Sequence, residues 1–346
     1  MMESAVIAAL RAKLEQDVAA DRFSGTALVG RIENGTGIVL FSEPYGLADR
    51  ELKVANTLDT RFRIGSMNKM FTATSVMQLV QAGEITLTDP LGTYVTDYPN
   101  KNVASSVTID HLLTHTGGTG DIFGPEFDAH RLELRTMDDY VNLYGQRDVA
   151  FAPGTRWAYS NYGMLLLGVV IERVSGQSYY EYVDEHVYKI AGMTRSGSEP
   201  ESARVEGRSV AYTWDHAQAS WVPATSMLPY RGDAAVGGYS TVGDLMRFAT
   251  ALMNNKLLNA ENTALLIAGK VDTDHAPPGP GRQAYGFGDW RDASGAGPVG
   301  HGGGGPGANG VLYIYPKSGY VTVVLANRDP EAAMEVSSFL DVRLPK

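Results

Sequence analysis

The stretch IGSMNKMFTATSVMQLVQAGE, residues 64–84, predicts an amphipathic helix that carries a serine and a lysine on its apolar face. Residues three and four apart lie on the same side of a helix, so Ser66 and Lys69 share a stripe with Ala73 and Val76. That stripe should face the core of the protein, where a lone ammonium group is costly. A buried lysine at this position is explained if it acts on the serine one helical turn before it.

The Ser-x-x-Lys spacing places a nucleophile and a base one helical turn apart. Burial lowers the pKa of a lysine, so the amine can take the proton of a serine hydroxyl, which is a poor nucleophile by itself. A serine at a helix start also lies beside free backbone N–H groups and the positive end of the helix dipole, which suit an oxyanion. The competing structural interpretation makes Ser66 an N-cap and lets Lys69 reach solvent along its aliphatic stem.

The composition points to a soluble globular protein and argues against several classes of partner. The chain has 346 residues, 44% of them hydrophobic, and a net charge of −10. This length favours a large core in two parts. An acidic chain without a basic run is a poor partner for nucleic acid or an anionic membrane, and the lack of cysteine excludes disulfides and cysteine-ligated metals.

The pattern along the chain resembles neither a membrane span nor a secretory signal. The most apolar run, at 164–171, is much too short to cross a bilayer. Residues 1–20 predict an amphipathic helix with acidic side chains and lack the basic n-region and apolar h-region of a signal. We therefore expect a cytoplasmic protein, or a periplasmic or secreted one if a signal peptide has been removed.

Strand patterns lie near both ends of the chain, and helical patterns lie between them. GTALVGRI (25–32) and GIVLFSE (37–43) flank an Asn-Gly turn, and residues 311–327 predict a second hairpin. We predict an α/β (α+β) fold, with one antiparallel sheet built from both termini, flanked by helices and carrying an inserted mainly helical domain. The predicted boundaries are 1–65 with 235–346 for the sheet domain and 66–234 for the helical domain, with the active site in the cleft between them.

Two further motifs follow the Ser-x-x-Lys of residues 66–69, namely YSN at 159–161 and HGGG at 301–304. In this order the three resemble the serine β-lactamase and penicillin-binding protein superfamily, whose signature is SxxK, SDN and KTG. The YSN form is typical of the class C branch, which includes family VIII carboxylesterases and related serine hydrolases. The flanks FRIGSMNKMFTA, LLTHTGG, PGTRWAYSNYG and GGYSTVGDLMRF also resemble this branch. The resemblance covers nearly the whole chain and implies a β-lactamase-like fold.

The resemblance also implies a role for each motif residue. Ser66 is expected to be the acylated nucleophile, and Lys69 is expected to accept its proton or to lower the pKa of Tyr159. Tyr159 is expected to act as general base in acylation and as proton donor to the leaving group. Asn161 is expected to bind Lys69 and the acyl side of the substrate. The oxyanion hole is expected to be formed by the backbone N–H groups of Ser66 and Gly304. No metal and no organic cofactor is implied.

The third motif departs from the family pattern, because His301, Gly302 and Gly303 replace Lys-Thr-Gly. The lysine and threonine of the family pattern are expected to hold a substrate carboxylate. A histidine is mostly uncharged near neutral pH, and a glycine has no hydroxyl. These three residues are predicted to contact substrate, and the weaker anion site favours neutral esters over penicillins or cell-wall peptides. Arg231 or Arg282 could supply the missing cation from a loop.

His111 and His115 are four residues apart, a spacing that could bind a metal, but no suitable third ligand lies nearby. We therefore expect a structural role for both. Aromatic residues are dense between the motifs, and some are expected to line an apolar pocket while most belong to the core. They are Trp157, Tyr162, Tyr179, Tyr180, Trp214, Trp221 and Tyr230.

Four functional hypotheses follow from these motifs. The first is a carboxylesterase acting on short or medium acyl esters, and the second is a β-lactamase, DD-peptidase or D-aminopeptidase on the same fold. An α/β-hydrolase, which also uses an HGGG loop, is rejected because the chain lacks a Gly-x-Ser-x-Gly elbow. A non-catalytic binding relative would have lost its nucleophile or base. The expected partner is a small-molecule ester or amide, with no nucleic acid and no membrane.

Overall fold

In the computed structural model, which describes residues 2–273 and 281–346, strands from both ends of the chain form one antiparallel sheet. In chain order the strands are β1 (Gly25–Glu33), β2 (Thr36–Tyr45), β3 (Leu47–Asp49), β4 (Val54–Ala55), β5 (Phe62–Arg63), β6 (Tyr212–Asp215), β7 (Ser220–Pro223), β8 (Tyr239–Ser240), β9 (Val271–Thr273), β10 (Gly281–Gln283), β11 (Gly288–Asp289), β12 (Val299–Gly305), β13 (Ala308–Ile314) and β14 (Tyr320–Ala326). Within the described residues the main sheet has eight of these strands, in the order β2-β1-β14-β13-β12-β11-β10-β9.

The two predicted hairpins are confirmed, and each has a turn that suits its residues. Asn34 and Gly35 join β1 to β2 with φ of 48° and 78°, the left-handed conformations that such a two-residue turn requires. Strands β13 and β14 pair in register with Leu312 opposite Val323, and both are buried along their whole length. These central strands carry the sheet that supports the third motif.

Helices cover both faces of the sheet and form the region between its strands. In chain order they are α1 (Met2–Ala19), α2 (Asn68–Gln81), α3 (Lys101–Ser106), α4 (Ile109–Leu113), α5 (Pro125–His130), α6 (Met137–Tyr144), α7 (Asn161–Ser175), α8 (Tyr179–Val183), α9 (Lys189–Ala191), α10 (Val242–Met253), α11 (Ala260–Ile267) and α12 (Ala332–Asp341). No helix in the described part of the chain combines the length and the apolarity needed to cross a bilayer.

The alternation of side chains along the strands divides the core into two layers. Val311 and Val324 face α1 and α12, where Leu10 and Leu340 are buried. Their neighbours in sequence face the opposite way and join the larger core that contains α2, α7 and α10. Helix α7 is buried on nearly every side from Asn161 to Ile171, which is typical of a central helix. The two-domain boundaries remain a prediction.

Candidate active site

Ser66 lies on a single 3-10 turn, Gly65–Met67, that leads into α2. Gly65 has a φ of 54°, which favours glycine and turns the chain sharply into the helix. Within the described residues the Ser66 side chain caps no backbone N–H of either helical segment. The interpretation of Ser66 as an N-cap is therefore wrong, and its hydroxyl is free to face the cleft.

Lys69 has no solvent exposure, so the alternative in which it reaches water is also wrong. Its Nζ lies within hydrogen-bond distance of three oxygens: Ser66 Oγ at 3.1 Å, Asn161 Oδ1 at 2.7 Å and the Ala235 carbonyl at 2.8 Å. Burial lowers its pKa to about 7, and the negative charges of Asp233 and Asp121 oppose that shift. The amine is thus poised to gain or lose a proton near neutral pH.

Asn161 is the first residue of α7, and its side-chain amide is held at both ends. Its Nδ2 donates to Asp121 Oδ1 at 2.8 Å, so its Oδ1 must be the atom that faces Lys69. The preceding residue, Ser160, caps the helix by accepting from Gly163 N at 2.9 Å. The cap and the carboxylate together fix where α7 presents the amide oxygen.

Tyr159 lies in the loop before α7, half-buried at the cleft. Burial raises the pKa of its phenol above the ordinary value, and a hydrogen bond with Ser66 partly offsets this. Lys69 Nζ lies 4.7 Å from the centre of its ring. The His115 ring packs against the same phenol with centroids 4.6 Å apart. The tyrosine is therefore protonated at neutral pH and held in place on two sides.

Strand β12 runs directly beside the Ser66 turn because both segments carry glycine where they meet. A Cβ added to Gly303 would lie 3.0 Å from the Ser66 backbone nitrogen, and one added to Gly65 would lie 2.9 Å from the Gly304 nitrogen. Asn309 Nδ2 donates to the Gly303 carbonyl at 3.0 Å and holds the strand from its other side. The predicted oxyanion-hole residues, Ser66 and Gly304, are thus neighbours through their backbones.

Ser66, Tyr159 and the four residues of the HGGG motif line a cleft of about 330 Å³. The lining is rich in apolar and aromatic side chains. It consists of Ser66, Trp157, Tyr159, Thr273, Arg282, Gln283, Gly288, Trp290, His301, Gly302, Gly303, Gly304, Asn309, Pro330 and Met334. Of the aromatic residues singled out in the sequence, Trp157 lines this cleft, whereas Tyr162 and Tyr179 are core residues and Trp214 packs on Trp221 in the β6–β7 hairpin.

His301 lines the cleft as a neutral imidazole. Its Nδ1 contacts the Gly302 carbonyl oxygen, which can only accept, so the ring hydrogen lies on Nδ1 and Nε2 is an acceptor. Burial and the nearby Lys69 charge lower the pKa of His301 to about 4. Of the two candidate cations, Arg282 lies at the cleft and pairs with Asp272 at 3.1 Å, whereas Arg231 lines a different cavity beside Tyr180.

The two histidines with a metal-like spacing serve the backbone instead. His111 Nδ1 accepts from Thr108 N at the start of α4, and His115 Nδ1 accepts from Ser160 N, both at 3.2 Å. No cluster of three His, Asp or Glu side chains suited to a metal ion occurs in residues 2–273 and 281–346. The expectation of a structural role fits these contacts.

Several residues that shape the site escaped the sequence reasoning. Asp233 places a buried carboxylate near Lys69, Asp121 places an exposed one there, and Ala235 offers its carbonyl. Trp290 forms a wall of the cleft, packed over Gly288. None of them belongs to a motif with a fixed spacing, and each reaches the site from a loop or a very short strand.

Known proteins match this chain over most of its length. The family model described as beta-lactamase matches residues 10–343. A putative penicillin-binding protein, PbpX, of Bacillus subtilis is 30% identical over 243 residues, which are 69% of this chain and 57% of that protein. Esterase EstB of Burkholderia gladioli is 35% identical over 48% of this chain and 46% of its own length. The chain thus spans about half the length of these two curated relatives.

A solved structure matches more completely. The crystal structure of a penicillin-binding protein from Bacillus halodurans has a TM-score of 0.85 and 31% identity, covering 95% of this chain and 99% of that one. The similarity therefore extends over nearly the whole of both chains.

Proposed function

The chain belongs to the beta-lactamase family, and from this we propose that it is a serine hydrolase that forms an acyl-enzyme on Ser66 and acts mainly on carboxylic esters. The observation that carries the proposal is the buried Lys69 amine with three oxygens around it, one of them Ser66 Oγ. A buried amine beside a serine hydroxyl is the arrangement by which a lysine activates a serine nucleophile.

The hydrogen-bond partners of Lys69 determine whether its amine donates a proton to Ser66 or accepts one from it. Two of its three neighbours, Asn161 Oδ1 and the Ala235 carbonyl, can only accept hydrogen bonds. A neutral amine has two N–H bonds, which these two oxygens take up. Its lone pair then points at the third neighbour, the Ser66 hydroxyl. In the neutral state Lys69 is therefore the group that accepts the serine proton.

Acylation follows from these positions. Ser66 Oγ bonds to the carbonyl carbon of the ester while its proton passes to Lys69 Nζ. The oxygen that becomes negative accepts hydrogen bonds from the backbone N–H groups of Ser66 and Gly304. When the C–O bond to the alcohol breaks, Tyr159 gives its phenolic proton to the leaving oxygen and is reprotonated from Lys69. The raised pKa of Tyr159 favours this donor role over that of the first base.

The cleft favours esters without a carboxylate near the reacting carbonyl. His301 presents an acceptor nitrogen where the family pattern has a lysine, and Gly302 offers no hydroxyl. A substrate carboxylate at this position would face the lone pair of the His301 acceptor nitrogen and would be repelled by it. Trp157, Trp290 and Met334 supply apolar walls suited to an acyl or alcohol chain. Hydrolysis of a β-lactam or D-peptide is the second candidate, because Arg282 at the cleft could still receive a carboxylate.

A paired assay tests the proposal. Wild type and Ser66→Ala would each be given p-nitrophenyl butyrate and a chromogenic cephalosporin. We expect ester turnover that is lost in the variant, with little cephalosporin cleavage. Fast cephalosporin turnover would favour the second candidate. Ester turnover that survives in Ser66→Ala would contradict the assignment of the nucleophile.

A further inference from the structure

The loop at residues 233–236 lies against α2 and is held there by an unusual set of contacts. Three consecutive carbonyl oxygens of the loop accept hydrogen bonds from three side chains of one helix. The pairs are Asn68 Nδ2 with the Asp233 carbonyl, Thr72 Oγ1 with the Ala234 carbonyl at 2.7 Å, and Lys69 Nζ with the Ala235 carbonyl at 2.8 Å. The loop backbone therefore faces α2 with every one of these acceptors engaged.

The Asp233 carboxylate shapes this loop from within. One oxygen accepts from the backbone N–H groups of Ala235 and Val236 at 2.8 and 2.9 Å, and the other accepts from the Tyr140 hydroxyl at 3.0 Å. Asp233 is 2% exposed. Burial raises the pKa of Asp233, whereas the two backbone N–H groups, the Tyr140 hydroxyl and the Lys69 charge oppose that shift. Because each of its hydrogen-bond partners donates, the ionised carboxylate is fully satisfied. The buried Asp233 carboxylate thus holds the turn in the conformation in which the Ala235 carbonyl contacts Lys69.

Two carboxylates, Asp233 and Asp121, raise the pKa of Lys69 among the described residues. Asp121 acts from the far side of the Asn161 amide. The titratable groups near the amine that carry no charge at neutral pH are the Tyr159 phenol and two histidines, His115 and His301. Asp233 is therefore the buried anion on the Lys69 side of the loop.

We propose that Asp233 is a positioning residue with two separable effects: its carboxylate fixes the Ala235 carbonyl against Lys69, and its charge sets the pH at which Lys69 can act as a base. The inference rests on the proposed function, since it assumes that neutral Lys69 activates Ser66. It assigns Asp233 no contact with substrate.

Two substitutions separate the effects. In Asp233→Asn the remaining carbonyl oxygen still accepts from the two backbone N–H groups, and the new amide donates to Tyr140, so the turn survives without its charge. Loss of a negative charge favours neutral Lys69. We expect the rise of kcat/KM with pH to move downward by roughly 0.5 to 1 pH unit, with kcat on the plateau kept within about threefold.

In Asp233→Ala the turn loses its acceptor, and the Ala235 carbonyl is free to leave Lys69. We expect kcat to fall about 100-fold at every pH, because small displacements of a reacting group cost that much. Asp244→Asn is the matched control. Asp244 is also a fully buried carboxylate held by backbone and side-chain donors, but its partners are Arg195, Ser196 and Arg247. Its removal should lower stability without moving the pH profile.

Covalent labelling of Ser66 tests the inference independently of which ester is the substrate. The rate at which a fluorophosphonate labels Ser66 would be measured across pH beside ester hydrolysis, with circular dichroism to verify folding. A labelling profile in Asp233→Asn that coincides with wild type overturns the inference, even if Asp233→Ala fails to fold. Absence of ester turnover with normal pH-dependent labelling would instead count against the proposed substrate class. Labelling that persists in Ser66→Ala would count against the proposed nucleophile.

Discussion

Gly303 passes so close to Ile64 that a Cβ added to the glycine would lie 2.0 Å from the Ile64 carbonyl oxygen. Real side chains do not approach backbone atoms at that distance. The contact joins β12 to the turn that carries Ser66, and it sets the spacing between the two backbone segments that form the proposed oxyanion hole. Glycine at this position is therefore required by geometry.

Substituting Gly303 should disable catalysis with limited harm to the fold. In Gly303→Ala the new methyl pushes β12 away from Ile64, so the N–H groups of Ser66 and Gly304 no longer converge. Removing one oxyanion donor costs roughly 100- to 1,000-fold in rate, and we expect a loss of kcat in that range. Steady-state kinetics on p-nitrophenyl butyrate would measure it.

The same strand provides a matched control. At Gly305 an added Cβ has no atom of the described residues within 4 Å. Gly305→Ala should therefore keep its kcat within about threefold, and equal losses in the two variants would show that β12 tolerates no side chain for reasons unrelated to Ile64.

Lys69 should impose a pH dependence near neutrality. Burial lowers its folded-state pKa to about 7, and the base is active only when neutral, so kcat/KM should rise as pH increases through about 7 and then level off. Lys69→Met keeps the length of the side chain but not the base, and we expect at least about a 100-fold loss at every pH. A pH–rate profile of wild type without this rise would remove Lys69 as the base.

Much of this site was accessible from short local patterns. The apolar stripe through Ala73 and Val76 put Lys69 on the buried face of α2, and the amine is indeed buried. Hairpin turns and continuous apolar runs predicted β1, β2, β13 and β14 because those strands are long enough to show a pattern. The family fold followed from three ordered motifs.

The remaining features depend on packing between residues that are far apart in the chain, which a short segment of sequence cannot predict. Strands β9, β10 and β11 have two or three residues each, too few for any alternation. Asp233 and Asp121 influence Lys69 from loops 164 and 52 positions away along the chain. Nor could spacing reveal that Arg282 lies at the cleft whereas Arg231 lies in another cavity.

Restoring the family pattern in the third motif should change substrate preference. Space exists for a side chain at Gly302, where an added Cβ lies 3.6 Å from its nearest neighbour. His301→Lys combined with Gly302→Thr would replace an acceptor by a cation and add a hydroxyl. We expect the ratio of kcat/KM for p-nitrophenyl hemisuccinate over p-nitrophenyl butyrate to rise about tenfold, equal to about 1.4 kcal/mol.

The ratio is the quantity that decides this prediction, because the double variant also alters absolute rates. Arg282→Gln in the wild-type background provides the comparison. If that change alone lowers the hemisuccinate ratio substantially, Arg282 already serves as the anion site, and an unchanged ratio in the double variant would then be expected.

Tyr159 should be needed for its hydroxyl rather than for its ring. Tyr159→Phe keeps the packing against His115 and the ring beneath Lys69, but the leaving alkoxide loses its proton donor. We expect kcat to fall by about 100- to 10,000-fold for an alkyl ester, and by less for p-nitrophenyl esters, whose leaving group needs little protonation.

Tyr162→Phe is the control three residues away. Tyr162 hydrogen-bonds Tyr98 at 3.0 Å in the core, so loss of its hydroxyl should cost about 1 kcal/mol of stability and leave kcat unchanged. Equal losses on ethyl butyrate and p-nitrophenyl butyrate in Tyr159→Phe would mean that the phenol acts before the leaving group departs, as the base that activates Ser66.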